Sequence, residues 1–295
     1  MYFCTQYINI KLIMKQLKLT VALLAVTMLA ASCGGSKNET PQKETVKTLV
    51  LYYSLTNNTK LVAEEMASLV GADIERIEAV KPYDTSFQAT IDRCMKERET
   101  GTLPQIHPLN ADLSQYDVIF IGYPVWFGTY APPVITFLND NDLSGKKIVP
   151  FCTFGSGGLE SSVRDLEVAQ PNAEILQGYG VRAARLEAMP KEVEQFLIAN
   201  GFIEGEYTAP EPFGEIHEVS EEEAAVFNAA VDGYPMLNAE AKTVAVRPIA
   251  GGTEYFFSAV DKPRKGGPKM PQGGELQVYV TVENGQAPVF TRVVR

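Results

Sequence analysis

The clearest fold signal of this chain is TLVLYY at residues 48–53, followed at once by SLTNNT at residues 54–59. The first six residues are β-branched, aliphatic or aromatic and lack polar alternation, which is typical of a parallel strand covered on both faces. The next six are mostly Ser, Thr and Asn, which favour helix starts. Residues 60–70 carry apolar side chains at helical spacing and end before Gly71, a common residue just past a helix. A strand, a polar loop and a helix are therefore predicted.

The alternation of strand and helix continues outward from this point to residue 205. Short apolar runs indicate strands, and apolar residues at helical spacing with Gly or Pro at the ends indicate helices. We predict strands at 48–53, 74–77, 117–122, 147–152 and 174–181, and helices at 60–70, 86–99, 132–139, from 159 and at 191–200. Five strands interleaved with helices predict an α/β fold with a doubly wound, five-stranded parallel sheet over residues 46–205. Such sheets bind ligands at the carboxyl ends of their strands.

Three polar or glycine-rich segments follow strands at that predicted edge. The first segment, residues 54–59, leads directly into a helix, and its hydroxyls, amides and N–H groups suit a phosphate. It contains no Lys and no Walker pattern, which disfavours a nucleoside triphosphate with magnesium. An ordinary helix cap explains the same residues equally well. The candidate binding residues here are Ser54, Thr56, Asn57, Asn58 and Thr59.

The second segment, residues 122–132, contains the single Trp of the chain among Gly and Pro residues. An aromatic side chain on a loop can stack on a planar ligand, which makes Trp126 a candidate stacking residue. The alternative is a loop Trp that packs into the core of the protein itself. The candidate residues of this segment are Pro124, Val125, Trp126, Phe127 and Gly128.

The third segment, residues 153–158, reads TFGSGG. Glycines let backbone N–H groups approach a ligand closely, although a loop without a ligand is an equal alternative for this motif alone. The candidate residues of this segment are Thr153, Phe154, Gly155, Gly157 and Gly158.

Taken together, the three segments resemble the flavodoxin family. The likeness covers residues 46–205 and rests on a hydroxyl-rich first segment, a Gly-Tyr-Pro-Val-Trp second segment and a Phe-Gly-Ser-Gly-Gly third segment. It implies strand order 2-1-3-4-5 and a noncovalent FMN, its phosphate on the first segment and its ring between the other two. Asn57 departs from the glycine of many relatives, but Asn tolerates the left-handed conformation well. With a stacked aromatic and no Lys or Arg expected nearby, we expect a low potential for full reduction of the flavin.

Residues 1–33 resemble a bacterial lipoprotein signal peptide. A basic start near Met14 precedes an apolar run that is too short to span a bilayer. The run ends in LAASC at residues 29–33, so we expect Cys33 to be lipidated, with an ordinary secretory signal as the alternative. A polar linker is predicted at residues 34–45. The expected location is the periplasmic or cell-surface side of a membrane, with membrane contact through the lipid anchor only.

The remainder of the chain predicts a second unit after a Pro-containing linker at residues 206–219. Over residues 220–295 we predict a small α+β domain, in which a capped helix precedes an antiparallel meander with a hairpin at Asn284-Gly285. The stretch at residues 247–257 resembles the first hairpin of cystatin-like domains. Arg247-Pro248 replaces the usual start of that hairpin, and a second-hairpin Trp is absent, so protease inhibition is disfavoured.

Charge and composition limit the function classes. The 295 residues carry a formal net charge of −10, which disfavours nucleic-acid binding. Two His residues and four Cys residues without CxxC spacing predict neither a metal site nor a disulfide framework, and no catalytic residue is predicted.

Two function hypotheses follow. The first is an FMN-binding lipoprotein that transfers electrons or acts as a small flavin reductase, working with a redox partner protein or a small acceptor such as a quinone. Whether it is an enzyme stays open. The second is a surface interaction protein with a flavin-free flavodoxin-like fold and a partner-binding C-terminal domain. All three segments keep residue types suited to a flavin, which favours the first hypothesis.

Overall fold

The computed structural model describes residues 46–234, 237–262 and 274–295. Its helices are α1 (Asn58–Val70), α2 (Phe87–Thr100), α3 (Pro132–Asp140), α4 (Leu159–Ala169), α5 (Met189–Ala199) and α6 (Glu221–Val231). Its strands are β1 (Thr48–Tyr52), β2 (Asp73–Arg76), β3 (Val118–Trp126), β4 (Thr129–Tyr130), β5 (Lys147–Phe154), β6 (Glu174–Ile175), β7 (Tyr179–Arg182), β8 (His217–Glu218), β9 (Ala239–Ile249), β10 (Gly252–Asp261), β11 (Glu275–Glu283) and β12 (Val289–Val294). The predicted α/β region followed by an α+β region is therefore confirmed.

The first sheet is parallel in the order β2-β1-β3-β5-β6, with β7 also beside β5 and β4 antiparallel to β3. This matches the predicted order 2-1-3-4-5, because β6 and β7 together take the place of the fifth strand. The predicted continuous strand at 174–181 is wrong. Lys147 pairs with Glu174 but Phe151 pairs with Tyr179, so the register shifts by one residue opposite Pro150, which has no N–H for the ladder.

Helices cover both faces of this sheet, as a doubly wound fold requires. Along β3, Val118 and Phe120 pack with α1 and α5, whereas Ile119 and Ile121 pack with α2, α3 and α4. Both sets are buried. Because helices cover both faces of the central strands, the apolar runs of those strands need no polar alternation. The carboxyl edge of the sheet, where the helices begin, is left as the place for a site.

The second sheet is antiparallel, in the order β12-β11-β10-β9-β8. Helix α6 packs on one face of it and begins with the predicted capping box between Ser220 and Glu223. Strand β8 lies inside the predicted linker and adds to the edge of β9, which the sequence analysis does not anticipate. We refer to residues 217–295 as the antiparallel region. The hairpin at residues 247–257 forms, and its cystatin-like character stays a prediction.

The predicted signal peptide at residues 1–33, its lipidation site Cys33 and the linker at 34–45 lie outside the described residues. Within the ranges the structure describes, no helix is both long and apolar enough to cross a membrane.

Candidate functional site

The three candidate segments meet at the carboxyl edge of the parallel sheet. The hydroxyls of Thr59 and Thr153 lie 2.8 Å apart and join the first segment to the third. Gly158 packs against Val125 so closely that a Cβ there would lie 2.6 Å from a Val125 methyl, which joins the third segment to the second. Ser161 Oγ adds a hydrogen bond of 2.5 Å to the Gly128 carbonyl. The convergence predicted from the strand order is therefore confirmed.

The first segment turns into α1 through a left-handed residue. Asn57 has φ 66°, a conformation that Asn adopts more readily than most residues, so its use in place of Gly is explained. Among the described residues, none of the backbone N–H groups of residues 54–60 donates a hydrogen bond to a backbone carbonyl. These groups, together with the positive end of the α1 dipole, form a cradle suited to an anion.

Ser54 is the most informative residue of this cradle. Its side chain is 1% exposed, and its Oγ has no hydrogen-bond partner among the described residues. A buried hydroxyl without a partner is unfavourable unless a ligand supplies one. Thr59 is equally buried, and of the paired Thr59 and Thr153 hydroxyls one still has a proton to donate. The geometry therefore fits a phosphate better than a simple helix cap, and Asn57, the N-cap residue, makes no side-chain cap.

The second segment is more regular than predicted. Strand β3 runs on to Trp126, and Phe127 and Gly128 form a two-residue turn into β4 with φ of 53° and 85°. Positive φ at both central residues is the type I′ geometry of tight hairpins. Phe127 is half-exposed at the tip, and the guanidinium of Arg98 lies 5.3 Å from its ring centre. The interpretation of this segment as a loop is therefore wrong: most of it belongs to a hairpin.

Trp126 is half-buried and belongs to an aromatic cluster. Its ring meets Tyr53 edge to face at 5.8 Å and Tyr83 at 5.2 Å. Tyr83 is itself held by a hydrogen bond of 2.6 Å to Glu97 and by Arg93, which lies 3.6 Å over its ring. Burial raises the pKa of both tyrosines, so the phenols stay protonated. The cluster fixes the Trp126 ring, and its stacking on a flavin stays a prediction.

The third segment begins inside β5, which continues to Phe154, and ends at Gly158, where α4 starts with φ 115°. Thr153 and Phe154 are buried, while Gly155 is exposed. The space beside two of its glycines is filled by the antiparallel region. A Cβ on Gly155 would lie 2.9 Å from Tyr234 Oη, and a Cβ on Gly157 would overlap the carbonyl oxygen of Val293. These glycines therefore permit close protein packing, a role that the sequence analysis does not consider.

Two arginines that the sequence analysis missed contact the segments. Arg76 Nη2 donates a hydrogen bond of 2.7 Å to the Ser54 carbonyl, and Arg182 Nε donates one of 2.8 Å to the Gly155 carbonyl. The expectation of surroundings without Lys or Arg is therefore wrong. Each arginine is the last residue of a strand that pairs with a strand leading into a segment. Arg76 ends β2 and lies opposite Tyr52 of β1, and Arg182 ends β7 and lies opposite Phe154 of β5. Correct strand pairing was the only signal that could have located them.

The two cysteines of this region are inert packing residues. Cys94 and Cys152 are both buried, and burial raises the pKa of the Cys94 thiol to about 11 and also raises that of Cys152. Neither thiol is a nucleophile at neutral pH. Across the described ranges, no group of three or more His, Cys, Asp or Glu side chains is placed to hold a metal ion.

Residues 47–195 match a protein-family model described as Flavodoxin. A candidate flavoprotein from Bacteroides eggerthii has 28% identity over 52% of this chain and 98% of its own, with a TM-score of 0.47. A flavoprotein from Lactobacillus acidophilus, solved in complex with FMN, has 25% identity over 46% of this chain and 93% of its own, with a TM-score of 0.41. No curated protein matches the chain. The family match confirms the predicted resemblance.

Proposed function

Because this chain belongs to the flavodoxin family, we propose that it is an FMN-binding protein that carries electrons or acts as a small flavin reductase outside the cytoplasm. The cofactor is FMN, which family membership supports. The observation that carries the proposal is the cradle at residues 54–60, where free N–H groups surround the buried, unpartnered hydroxyl of Ser54.

The phosphate is held by the first segment. The N–H groups at the start of α1 and the hydroxyls of Ser54, Thr56 and Thr59 supply donors to an anion. Arg76 donates a hydrogen bond to the backbone of the same segment and places a positive charge next to it. Asn57 and Asn58 complete the turn, and the left-handed Asn57 directs the chain into the helix. Protein donors then replace the water that a free phosphate would keep.

The isoalloxazine ring is held by the second and third segments, at Pro124–Gly128 and Thr153–Gly158. Trp126, fixed by Tyr53 and Tyr83, offers the aromatic surface, and the third segment offers its backbone. Bound FMN supplies one- and two-electron redox chemistry at this ring. The protein positions the ring, limits its contact with water and sets the charges around it.

The electron donor and acceptor reach the site from the side of the β3–β4 turn. Phe127 is 50% exposed at the tip of that turn, which suits contact with an apolar acceptor such as a quinone or with the surface of a redox partner protein. The net charge of −10 favours a basic protein as partner, since opposite charge accelerates association.

The full-length protein, purified in a mild detergent, tests this proposal. Its visible absorption spectrum is recorded, and any flavin that it releases is identified by chromatography. The protein is then stripped of its flavin and titrated with FMN. One FMN per chain is the expected result. A colourless protein that also refuses added FMN would contradict the proposal and support the rival hypothesis of an interaction protein.

The membrane anchor is proposed from the sequence alone, on the LAASC motif that ends at Cys33. Cys33→Ser is expected to move the protein from the membrane fraction to the soluble fraction or to leave it unprocessed. Cell fractionation with metabolic labelling by a fatty acid measures both outcomes. A Cys33→Ser protein that stays labelled and membrane-bound would contradict lipidation at this residue.

A further inference from the structure

The antiparallel region reaches the candidate flavin site through its edge strand β12. The N–H of Val293 donates a hydrogen bond of 2.6 Å to the Ser156 carbonyl of the third segment. The carbonyl of Val293 occupies the space beside Gly157. Strand β12 is the last strand of its sheet, so its outer edge would otherwise present unpaired backbone groups. The third segment therefore partly covers the edge of a sheet that belongs to the other half of the molecule.

Arg182 strengthens this connection from the parallel sheet. Its Nη1 donates a hydrogen bond of 2.7 Å to the Phe290 carbonyl in β12, while its Nε bonds the Gly155 carbonyl. The guanidinium also lies 3.5 Å over the Phe290 ring and 5.6 Å from the centre of the Tyr234 ring. One side chain thus connects the third segment, strand β12 and Tyr234, which lies three residues beyond α6. Burial lowers the pKa of this guanidinium from its very high ordinary value, as expected where protein contacts replace water.

These contacts act on the part of the third segment that is otherwise least constrained. The carbonyls of Gly155 and Ser156 accept hydrogen bonds from Arg182 and from the Val293 N–H, respectively. The glycines at 155 and 157 could otherwise adopt many backbone conformations. Tyr234 and Val293 occupy the space beside them and remove that freedom. The conformation of residues 155–157 is therefore set by the antiparallel region as well as by β5 and α4.

We propose that the antiparallel region is a positioning element of the flavin site, in which β12 and Arg182 hold residues 155–157 in the conformation that binds the FMN ring. This inference rests on the proposed function, because it concerns the same site. It gives the region a role within this chain, in contrast to the sequence-based hypothesis of a separate partner-binding module. Arg182 is a positioning residue, since it acts through the third segment and is not among the candidate FMN contacts.

Arg182→Met tests the proposal, because it keeps an apolar stem over Phe290 and removes both hydrogen bonds. The matched control is Arg247→Met, a change of the same type in β9 whose guanidinium instead bonds Glu254 and the Glu211 carbonyl and lies over Phe213. FMN dissociation constants are measured by flavin fluorescence on the full-length protein, and midpoint potentials by equilibrium titration with a reference dye. Circular dichroism and Tm report folding. We expect Arg182→Met to raise the dissociation constant about 10-fold or more and to shift the potential, and Arg247→Met to change affinity less than about twofold.

The outcomes separate the two proposals. A wild-type protein that binds no FMN contradicts the proposed function and this inference with it. If the wild-type protein binds FMN and Arg182→Met has the same affinity and potential, the inference alone is overturned. A lower Tm of Arg182→Met would not rescue it, because a lower Tm with unchanged FMN binding indicates that Arg182 only stabilises the fold. If Arg182→Met does not fold, Arg182→Lys is the second variant. It keeps the positive charge but cannot donate to the Gly155 and Phe290 carbonyls with the geometry of a guanidinium. Weaker FMN binding by folded Arg182→Lys supports the inference, and unchanged binding overturns it.

Discussion

The first and third segments look alike in sequence, yet the structure gives their small residues different surroundings. Both follow parallel strands, and both are rich in Ser, Thr, Asn or Gly. At residues 54–60 the N–H groups and the Ser54 hydroxyl lack backbone or side-chain acceptors among the described residues. At residues 155–157 the carbonyls of Gly155 and Ser156 accept hydrogen bonds from Arg182 and Val293, and Tyr234 and Val293 fill the space beside the glycines. A small residue in a loop can therefore make room for a ligand or for the rest of the protein.

The comparison predicts its largest effect on ligand binding at Ser54. Ser54→Ala removes a buried hydroxyl that has no protein partner, so the free energy of unfolding should stay the same or rise by up to about 1 kcal/mol. FMN affinity should fall about 10- to 100-fold, since a hydrogen bond to a charged group contributes about 1.5–3 kcal/mol. Urea denaturation of the stripped protein and an FMN titration measure the two quantities.

Thr90→Val is the control for this experiment. The Thr90 hydroxyl is also buried but bonds the Asp84 carbonyl at 2.7 Å, far from the cradle in sequence. Its loss should lower stability and leave FMN affinity unchanged. If Ser54→Ala behaves like Thr90→Val, the cradle does not hold the phosphate.

Gly157→Ala, unlike Ser54→Ala, is expected to lower the stability of the flavin-free protein. A Cβ at this position overlaps a backbone oxygen, which cannot move as a flexible side chain could. The free energy of unfolding of the stripped protein should therefore fall by about 1–3 kcal/mol, the usual range for overpacking. Gly274→Ala is the control, because nothing lies within 4 Å of a Cβ there and its φ lies outside the left-handed range. Equal stability of the two variants in urea would show that β12 does not pack on the third segment.

Asn57 tests the backbone of the first segment. Its φ of 66° disfavours a β-branched residue, so Asn57→Val should lower the free energy of unfolding by about 1–2 kcal/mol. Asn57→Gly should stay within a few tenths of wild type, since Gly adopts this conformation without a steric penalty. Thermal and urea unfolding of both variants provide the measurement. A Val variant as stable as the Gly variant would rule out the left-handed turn.

The smallest effect is expected at the opposite edge of the antiparallel sheet. Hydrogen bonds to the Glu223 carboxylate and the Glu215 carbonyl raise the pKa of His217 above its ordinary value of about 6.5. The protonated His217 stabilises the fold through its contact with Glu223. This stabilisation is complete below about pH 6.5, the ordinary pKa of His, and is lost as the pH rises through the raised pKa. His217→Asn should therefore be less stable than wild type at pH 5.5 and closer to it at pH 8.5, with FMN affinity unchanged. A stability difference independent of pH would contradict this assignment.

Much of the fold was predictable because its signals are local. Buried runs such as residues 48–53, the Gly71 helix end and the Ser220 capping box each depend on a few neighbouring residues, and the structure contains all three. The tolerance of Asn57 for a left-handed turn follows from the chemistry of one side chain and was predicted on that basis.

The remainder depended on contacts between distant residues. The split of the fifth strand depends on Pro150 in a neighbouring strand. Arg182 meets Phe290 across more than a hundred residues. Gly157 faces Val293, which no local pattern connects to it. Residue types alone therefore located the candidate site, but they could not show which of its small residues make room for a ligand and which allow other parts of the protein to pack closely.

The measurement that tests the central claim most directly compares FMN with riboflavin, the same ring without the phosphate, in titrations of the stripped full-length protein. If the cradle at residues 54–60 holds the phosphate through several charge-assisted hydrogen bonds, FMN should bind at one per chain and riboflavin at least about 100-fold more weakly. Equal affinities for the two flavins, or no binding of either, would contradict the assignment of this cradle as the phosphate site of a flavoprotein.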